Sequence, residues 1–188
     1  MKVEFHKTGD RRYAVVVLRA GLPDLEMNPA PGFDALMPHD MLHFLVEQEL
    51  ELRRGIFGQI ALGGTAGTFH HAPSGESDPR ADARLRRKTA RRGKNMLKTG
   101  LDDCVQSERA TFICLYDWLS HSADEKLRAR AAEMKPAFDS VLGQLTETER
   151  KKLNNEKLAQ IRKRMDELSA CWSSLTVGQS MAVEWPLK

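Results

Sequence analysis

The residues most able to do chemistry in this chain lie together just after Pro38. His39, Asp40 and His43 form the pattern H-D-x-x-H, and Glu47 follows four residues later. Two histidines four residues apart lie one turn apart on the same face of a helix, the spacing at which both imidazoles can bind one metal ion. We therefore predict a helix here that binds a divalent metal, zinc or another, through His39 and His43.

Two carboxylates accompany these histidines, and we predict that both take part in catalysis. Asp40 occupies the position at which the metalloprotease pattern H-E-x-x-H has its general base, so it could accept a proton from a metal-activated water. Glu47 lies about 12 Å along the helix axis from His39, too far to bind the same ion. We expect Glu47 to accept a hydrogen bond from the ring of His43 and to fix its tautomer.

A third metal ligand must come from another part of the chain. No spacing rule selects it, and the candidates are the downstream acidic residues and histidines His70, His71, Asp102, Asp103, Asp117, His121 and Glu133. A structural role for the same pattern stays open as an alternative. Asp40 would then compensate the helix dipole, and the two histidines would be interfacial residues bordering an apolar arc.

The same region also resembles known proteins. The H-D-x-x-H pattern is followed one helix later by Gly58-Gln59-Ile60-Ala61-Leu62. Together these residues resemble the metal-site region of the coenzyme Q biosynthesis family, in which the second helix supplies a Glu ligand. Gln59 takes that position here, and the resemblance implies a metal site on the first helix. The block from Pro38 to Phe69 is also similar to a segment of uncharacterised bacterial hypothetical proteins, which implies a bacterial origin.

A strongly basic segment lies between Arg80 and Lys98. It holds nine basic residues against one acidic residue, Asp82, a charge of +8, whereas the whole chain carries +3 and the remainder therefore −5. Such a segment could bind phosphates or an acidic protein, although no aromatic residue between Gly75 and Cys104 offers a stacking platform for single-stranded nucleic acid. The predicted anion-binding residues are Arg84, Arg87, Lys88 and Arg91.

Patterning along the chain predicts an α+β fold, a small antiparallel sheet built from both termini and packed on a mainly helical body. Alternating polar and apolar residues predict strands near Val3–Phe5 and 181–185, and the β-branched, apolar run 13–18 predicts a more buried strand, whereas the proline-rich stretch 22–38 reads as irregular. The first helix should run from Pro38 to Arg54, and a short second one from about 56 to 62.

Three longer helices should follow. We expect one to begin at Ser107, and the capping-box patterns Ser122-x-x-Glu125 and Thr146-x-x-Glu149 to begin the other two. Because only a tight turn separates the last two, they should form a C-terminal helical hairpin.

Length and composition restrict the class of protein. With 188 residues, 41% hydrophobic and 29% charged, the chain should form one globular domain with a flexible loop at about 63–80. No apolar run reaches the ~18 residues of a membrane span, so no membrane partner is expected. Three widely spaced cysteines favour reduced thiols and a cytoplasmic location.

These observations support two functional hypotheses. The first is a divalent-metal-binding protein whose H-D-x-x-H helix supports hydrolase or lyase chemistry on an unknown small molecule. The alternative is a non-enzymatic interaction module that binds nucleic acid or an acidic protein through the basic segment. Whether the chain is an enzyme, and whether it forms a homo-oligomer, stay open at this point.

Overall fold

The structure is a computed structural model. It describes residues 1–72, 80, 83, 84, 87–89, 91, 93, 95, 96 and 100–186. The predicted flexible loop at 63–80 therefore falls partly outside the described residues, which exclude 73–79.

A five-stranded antiparallel sheet forms one part of the fold. Its strands are β1 (Lys2–Gly9), β2 (Arg12–Leu18), β3 (Leu25–Ala30), β4 (His70–His71) and β5 (Ser180–Glu184). They are arranged in the order β4-β3-β2-β1-β5, so the first strand pairs with the last and both termini meet in the sheet. The α+β fold with a sheet from both termini, as predicted, is confirmed.

Alternation of apolar and polar residues explains β1, and a run rich in β-branched valines explains β2; both strands bury one face. Val3 and Phe5 of β1 are fully buried, as are Val15 and Val17 of β2, while the residues between Val3 and Phe5 and between Val15 and Val17 are partly exposed. Because successive side chains of a strand point to opposite faces, one face of the sheet packs on the core.

The prediction of irregular chain over 22–38 is wrong for residues 25–30. Leu25 and Met27 are buried and pair with β2, so this stretch is a strand despite its prolines. Pro29 is tolerated because it falls at a register shift between the paired residues Met27 and Ala30, where no ladder hydrogen bond requires its missing N–H. The short strand β4 then extends the sheet beyond β3.

Helices make up most of the remainder. They are α1 (His39–Glu49), α2 (Ile56–Ala61), α3 (Leu101–Ser120), α4 (Glu125–Gln144), α5 (Glu147–Lys152) and α6 (Asn155–Ser174). The described residues between 80 and 96 are also helical. Within the described part of the chain, no helix is both long and apolar enough to cross a membrane.

Helix α1 ends five residues earlier than predicted. Its capping residue is Leu50, and Glu51 then adopts a left-handed conformation with φ of 53° that turns the chain. Arg53 and Arg54 consequently lie in the connection rather than in the last helical turn, and Gly55 becomes the N-cap of α2.

The later helix boundaries also differ from prediction. Helix α3 begins at Leu101, six residues before Ser107, and α4 is capped by Asp124 rather than by a Ser122 capping box. The Thr146–Glu149 capping box is confirmed, but the helix that it begins is short. A second cap, Asn154, starts α6, so the final helical region consists of two helices.

Packing places the core between the sheet and α1. Phe44 of α1 meets Phe57 of α2 and Trp185 after β5 in edge-on contacts, with ring centroids 5.2 and 5.5 Å apart. Helix α1 also contacts α3 and α6. The helices in closest contact are α3 and α4, a hairpin in which Tyr116 and Phe138 stack at 3.9 Å. The site described next lies where α1 meets α3.

Candidate metal centre

Helices α1 and α3 together bring three ligand-type side chains to one place. His39 and His43 from α1 and Glu108 from α3 each offer a donor atom, and these atoms all lie within 4.8 Å of one another. The two imidazole centroids are 4.5 Å apart, and Nε2 of His43 lies 3.5 Å from Oε2 of Glu108. Two imidazoles and one carboxylate are a donor set that metal sites use.

Contacts with Gly32 fix the position of His39 at the start of α1. Its backbone N–H donates to the carbonyl of Gly32 at 3.1 Å, and Gly32 itself adopts a left-handed φ of +73°. A Cβ on residue 32 would lie 2.7 Å from Cβ of His39, a distance that forces a shift. Glycine is therefore needed at position 32 both for its conformation and for space.

His43 is fully buried, and a chain of hydrogen bonds holds its inner nitrogen. Nδ1 of His43 lies 2.9 Å from the hydroxyl of Ser107, and that hydroxyl donates to Oε1 of Glu47 at 2.9 Å. Thr111 adds a longer contact to the same nitrogen at 3.5 Å. The predicted hydrogen bond from the ring of His43 to Glu47 is therefore wrong, because the hydroxyl of Ser107 lies between the two side chains.

The carboxylate of Glu47 is itself surrounded by donors. It accepts hydrogen bonds of 2.8 Å from the backbone N–H groups of Ile56 and Phe57, in addition to the bond from Ser107. A Cβ on Gly55 would lie 2.4 Å from Cδ of Glu47, so glycine there leaves room for the carboxylate. Complete burial raises the pKa of Glu47 to about 7, although the three hydrogen bonds oppose that rise.

This chain of hydrogen bonds determines the tautomer of His43. When Glu47 is ionised, the proton of Ser107 points to Glu47, so the oxygen of Ser107 accepts from Nδ1–H of His43. Nε2 of His43 is then unprotonated, and its lone pair is directed toward His39 and Glu108. This atom is buried and has no hydrogen-bond partner among the described residues. A buried nitrogen without a partner is costly unless a ligand occupies its lone pair.

The other two members of the group are more accessible. Burial lowers the pKa of His39, and the nearby ring of His43 lowers it further. The ring of His39 therefore stays neutral and able to bind metal near neutral pH. Glu108 is exposed, so its carboxylate is anionic near neutral pH. Both side chains reach the surface, so the group opens outward from the buried His43.

Asp40 is directed away from this group. Its Oδ2 accepts a short hydrogen bond from the hydroxyl of Tyr13 in strand β2, and burial raises the pKa of Asp40. Asp40 is therefore buried against the sheet, beside the metal group rather than within it. Its catalytic role, like that of Glu47, stays a prediction.

The third member of the group is Glu108, which was not among the seven predicted candidates for the third ligand. Those candidates lie outside the group. For example, Asp117 pairs with Arg162 at 3.0 Å, His71 contacts Thr89 at 2.7 Å, and Asp103 accepts from the backbone of Arg54. A signal was available in Ser107, Glu108 and Thr111, three polar residues that lie within about one turn of a helix.

Gln59, to which the resemblance assigned the place of a Glu ligand, is not in the group. Its amide donates to the carbonyl of Arg54 at 2.8 Å and to the sulfur of Cys104 at 3.2 Å. No protein-family model, curated protein or solved structure matches this chain. Both resemblances therefore stay predictions.

The four predicted anion-binding residues are all described and all exposed. Arg84, Arg87, Lys88 and Arg91 are helical, and their spacing of three, four and seven residues is that of one helix face. They lie in a different part of the sequence from the metal group. Residues 85, 86 and 90, which lie between these four in the sequence, are outside the described residues.

Proposed function

We propose that this protein binds a divalent metal ion through His39, His43 and Glu108. The observation that carries the proposal is Nε2 of His43, a buried lone pair without a hydrogen-bond partner among the described residues, within reach of two further donors. A histidine that serves only packing would have both ring nitrogens satisfied or exposed. Here one nitrogen is fixed by hydrogen bonds, as in most histidine ligands, and the other is left available.

Zinc is the ion that we propose first. Three protein ligands with one position left open is the usual arrangement of catalytic zinc, and two histidines with one glutamate is among its known ligand sets. The same donors also suit iron(II), so metal analysis must decide the identity. A divalent ion at this site would supply Lewis-acid chemistry, which fits hydrolase or lyase activity on a small molecule.

The proposal is tested by metal content. Protein purified without a histidine tag is analysed by mass spectrometry, before and after incubation with zinc, for the wild type and the His39→Ala/His43→Ala variant. We expect close to one metal ion per chain in the wild type and none in the folded variant. The matched control, His70→Ala/His121→Ala, removes two exposed histidines outside the group and should keep the metal. An empty wild type that takes up no zinc would contradict the proposal.

Binding of an anionic partner is a second candidate function, because Arg84, Arg87, Lys88 and Arg91 are all exposed on a helical segment. Phosphate contacts of this kind weaken steeply as salt concentration rises. We expect salt-sensitive binding to a DNA or RNA duplex that is lost in the Arg84→Ala/Arg87→Ala/Arg91→Ala variant. The His39→Ala/His43→Ala variant should bind as the wild type does, which separates this function from metal binding.

A further inference from the structure

A cavity of about 220 Å³ opens beside His39, in the groove between α1 and α3. Its wall is mainly apolar, with Asp34 and Arg130 as its charged members, and the apolar side chains are Phe33, Met37, Leu42, Leu115 and Trp118. We propose that this cavity is the substrate pocket of the metal centre, and that it takes a small molecule with a short apolar body and an anionic oxygen head that binds the metal. The inference rests on the metal proposal above.

The cavity lies along the two helices that hold the metal group. Leu42 follows His39 by three residues on α1, and Leu115 follows Glu108 by seven residues on α3, so each apolar residue shares a helix face with a ligand. Seven residues of helix correspond to about 10 Å. A ligand whose head lies at the metal group would therefore extend its body about 10 Å along the groove.

The apolar walls are held in place by contacts on their outer sides. The indole N–H of Trp118 donates to Asp166 at 2.7 Å, which satisfies its only polar atom and leaves ring carbons to line the cavity. On the opposite wall, Phe33 packs on the ring of Trp172 at 6.4 Å, and the indole N–H of Trp172 donates to the carbonyl of Asp34 at 3.0 Å. The cavity is therefore formed before any ligand binds, as most ligand sites are.

The size of the cavity limits the size of the ligand. An apolar cavity of about 150 Å³ accommodates benzene, whereas pockets for drug-sized molecules span roughly 300–1,000 Å³. At about 220 Å³, this cavity suits a chain of about five carbons or a single ring with a substituent. Long lipid chains and nucleotides exceed it.

Charge decides which end of the ligand is polar. Arg130 pairs with Asp34 at 2.8 Å, so their charges offset one another at the rim. A dication held by two neutral histidines and one carboxylate would instead keep a net positive charge at the other end. An anionic oxygen group is therefore favoured at the metal and an uncharged body in the groove.

The test uses hydroxamates, which present the same metal-binding head on bodies of different length. Binding of acetohydroxamate and of hexanohydroxamate to the zinc-loaded protein is measured by calorimetry. Each buried methylene adds about 0.8 kcal/mol, so we expect the six-carbon ligand to bind at least about tenfold more tightly.

A variant and its matched control locate the tail in the cavity. Leu115→Trp fills the groove, and we expect it to abolish the difference between the two ligands while zinc content and acetohydroxamate affinity stay unchanged. Leu101→Trp makes the same change at an exposed position of the same helix and should preserve the difference.

Equal affinities of the two ligands for the zinc-loaded wild type would overturn the inference while leaving the metal proposal intact. A difference that survives in Leu115→Trp would overturn it as well. Failure of the wild type to bind zinc would instead overturn both proposals. The comparison of the two ligands in the wild type needs no variant, so it decides the matter even if Leu115→Trp does not fold.

Discussion

Two buried glutamates contact the same helix, α3, and differ in how their hydrogen-bond networks end. Glu149 accepts from both the Arg109 guanidinium and the backbone of Thr146, within the capping box that begins α5. Although burial acts to raise its pKa, the bonds from Thr146 and Arg109 outweigh that effect and hold the pKa of Glu149 below its usual value. Each carboxylate oxygen of Glu149 therefore accepts a hydrogen bond, Oε1 from Arg109 and Oε2 from Thr146.

The network of Glu47 has a different end. It passes through Ser107 to His43, and it ends at Nε2 of His43, which has no hydrogen-bond partner among the described residues. Burial dominates here and raises the pKa of Glu47 to about 7. A buried polar network that closes on itself stabilises the fold, whereas one that ends in a free lone pair beside two more donors is arranged for a ligand.

The largest expected contrast is in the pH dependence of stability of the metal-free protein. Because the pKa of Glu47 rises from 4.5 to about 7 on folding, the folded state binds more protons in that range. The contribution of Glu47 to the free energy of unfolding is therefore fully present below pH 4.5 and is lost as pH rises through about 7. The loss is on the order of 3 kcal/mol. The unfolding free energy of the wild type minus that of Glu47→Gln should therefore decrease by this amount as pH rises from below 4.5 to above 7.

Glu149→Gln provides the opposite case for that measurement. The folded pKa of Glu149 is lowered, so its contribution is present above the unfolded pKa and is lost as pH falls through the folded pKa. Chemical denaturation from pH 4 to pH 8 measures both differences. Slopes of the same sign for the two glutamates would remove the distinction between the networks.

The next largest effect concerns the third ligand. Glu108→Gln keeps the shape of the side chain but removes its charge, and we expect zinc affinity to fall at least about hundredfold, more than the loss of an outer hydrogen bond causes. Glu133→Gln makes the same change at an exposed position of α4 and should leave affinity unchanged. Competition with a fluorescent zinc chelator measures both, and equal affinities would exclude Glu108 as a ligand.

A smaller effect separates the two networks at their hydroxyl groups. Ser107→Ala removes the bond that orients His43 and deprives the buried Glu47 and His43 of a partner, so we expect zinc affinity to fall about tenfold and about 2 kcal/mol of stability to be lost. Thr146→Ala removes the cap of α5, and we expect about 1 kcal/mol of stability to be lost with zinc affinity unchanged. Zinc titration and urea denaturation of both variants test whether only Ser107→Ala weakens zinc binding. A Ser107→Ala protein with wild-type zinc affinity would contradict this expectation.

Local patterns predicted the parts of the fold that depend on local chemistry. Alternation placed β1 and β5, the β-branched apolar run placed β2, and the four-residue spacing of His39 and His43 placed both on one face of α1. The irregular reading of 22–38 was wrong because strand pairing with β2 outweighed the propensity of Pro29. The length of α1 was overestimated because the left-handed turn at Glu51 has no glycine to mark it.

The candidate site was only half predictable for a comparable reason. His39 and His43 are neighbours through the helix itself, so their spacing was sufficient. Glu108 and Ser107 join them only because α3 packs on α1, a contact across more than sixty residues of sequence. Spacing rules describe one element at a time, and they carry no information about which two helices meet.

The most direct test of the central claim is histidine nitrogen NMR of the metal-free protein at pH 8, followed by addition of one equivalent of zinc. We expect His43 to carry its proton on Nδ1 and to have an unprotonated Nε2, and we expect zinc to shift the resonance of that Nε2. A ring protonated on Nε2, or a spectrum that one equivalent of zinc leaves unchanged, would contradict the central claim.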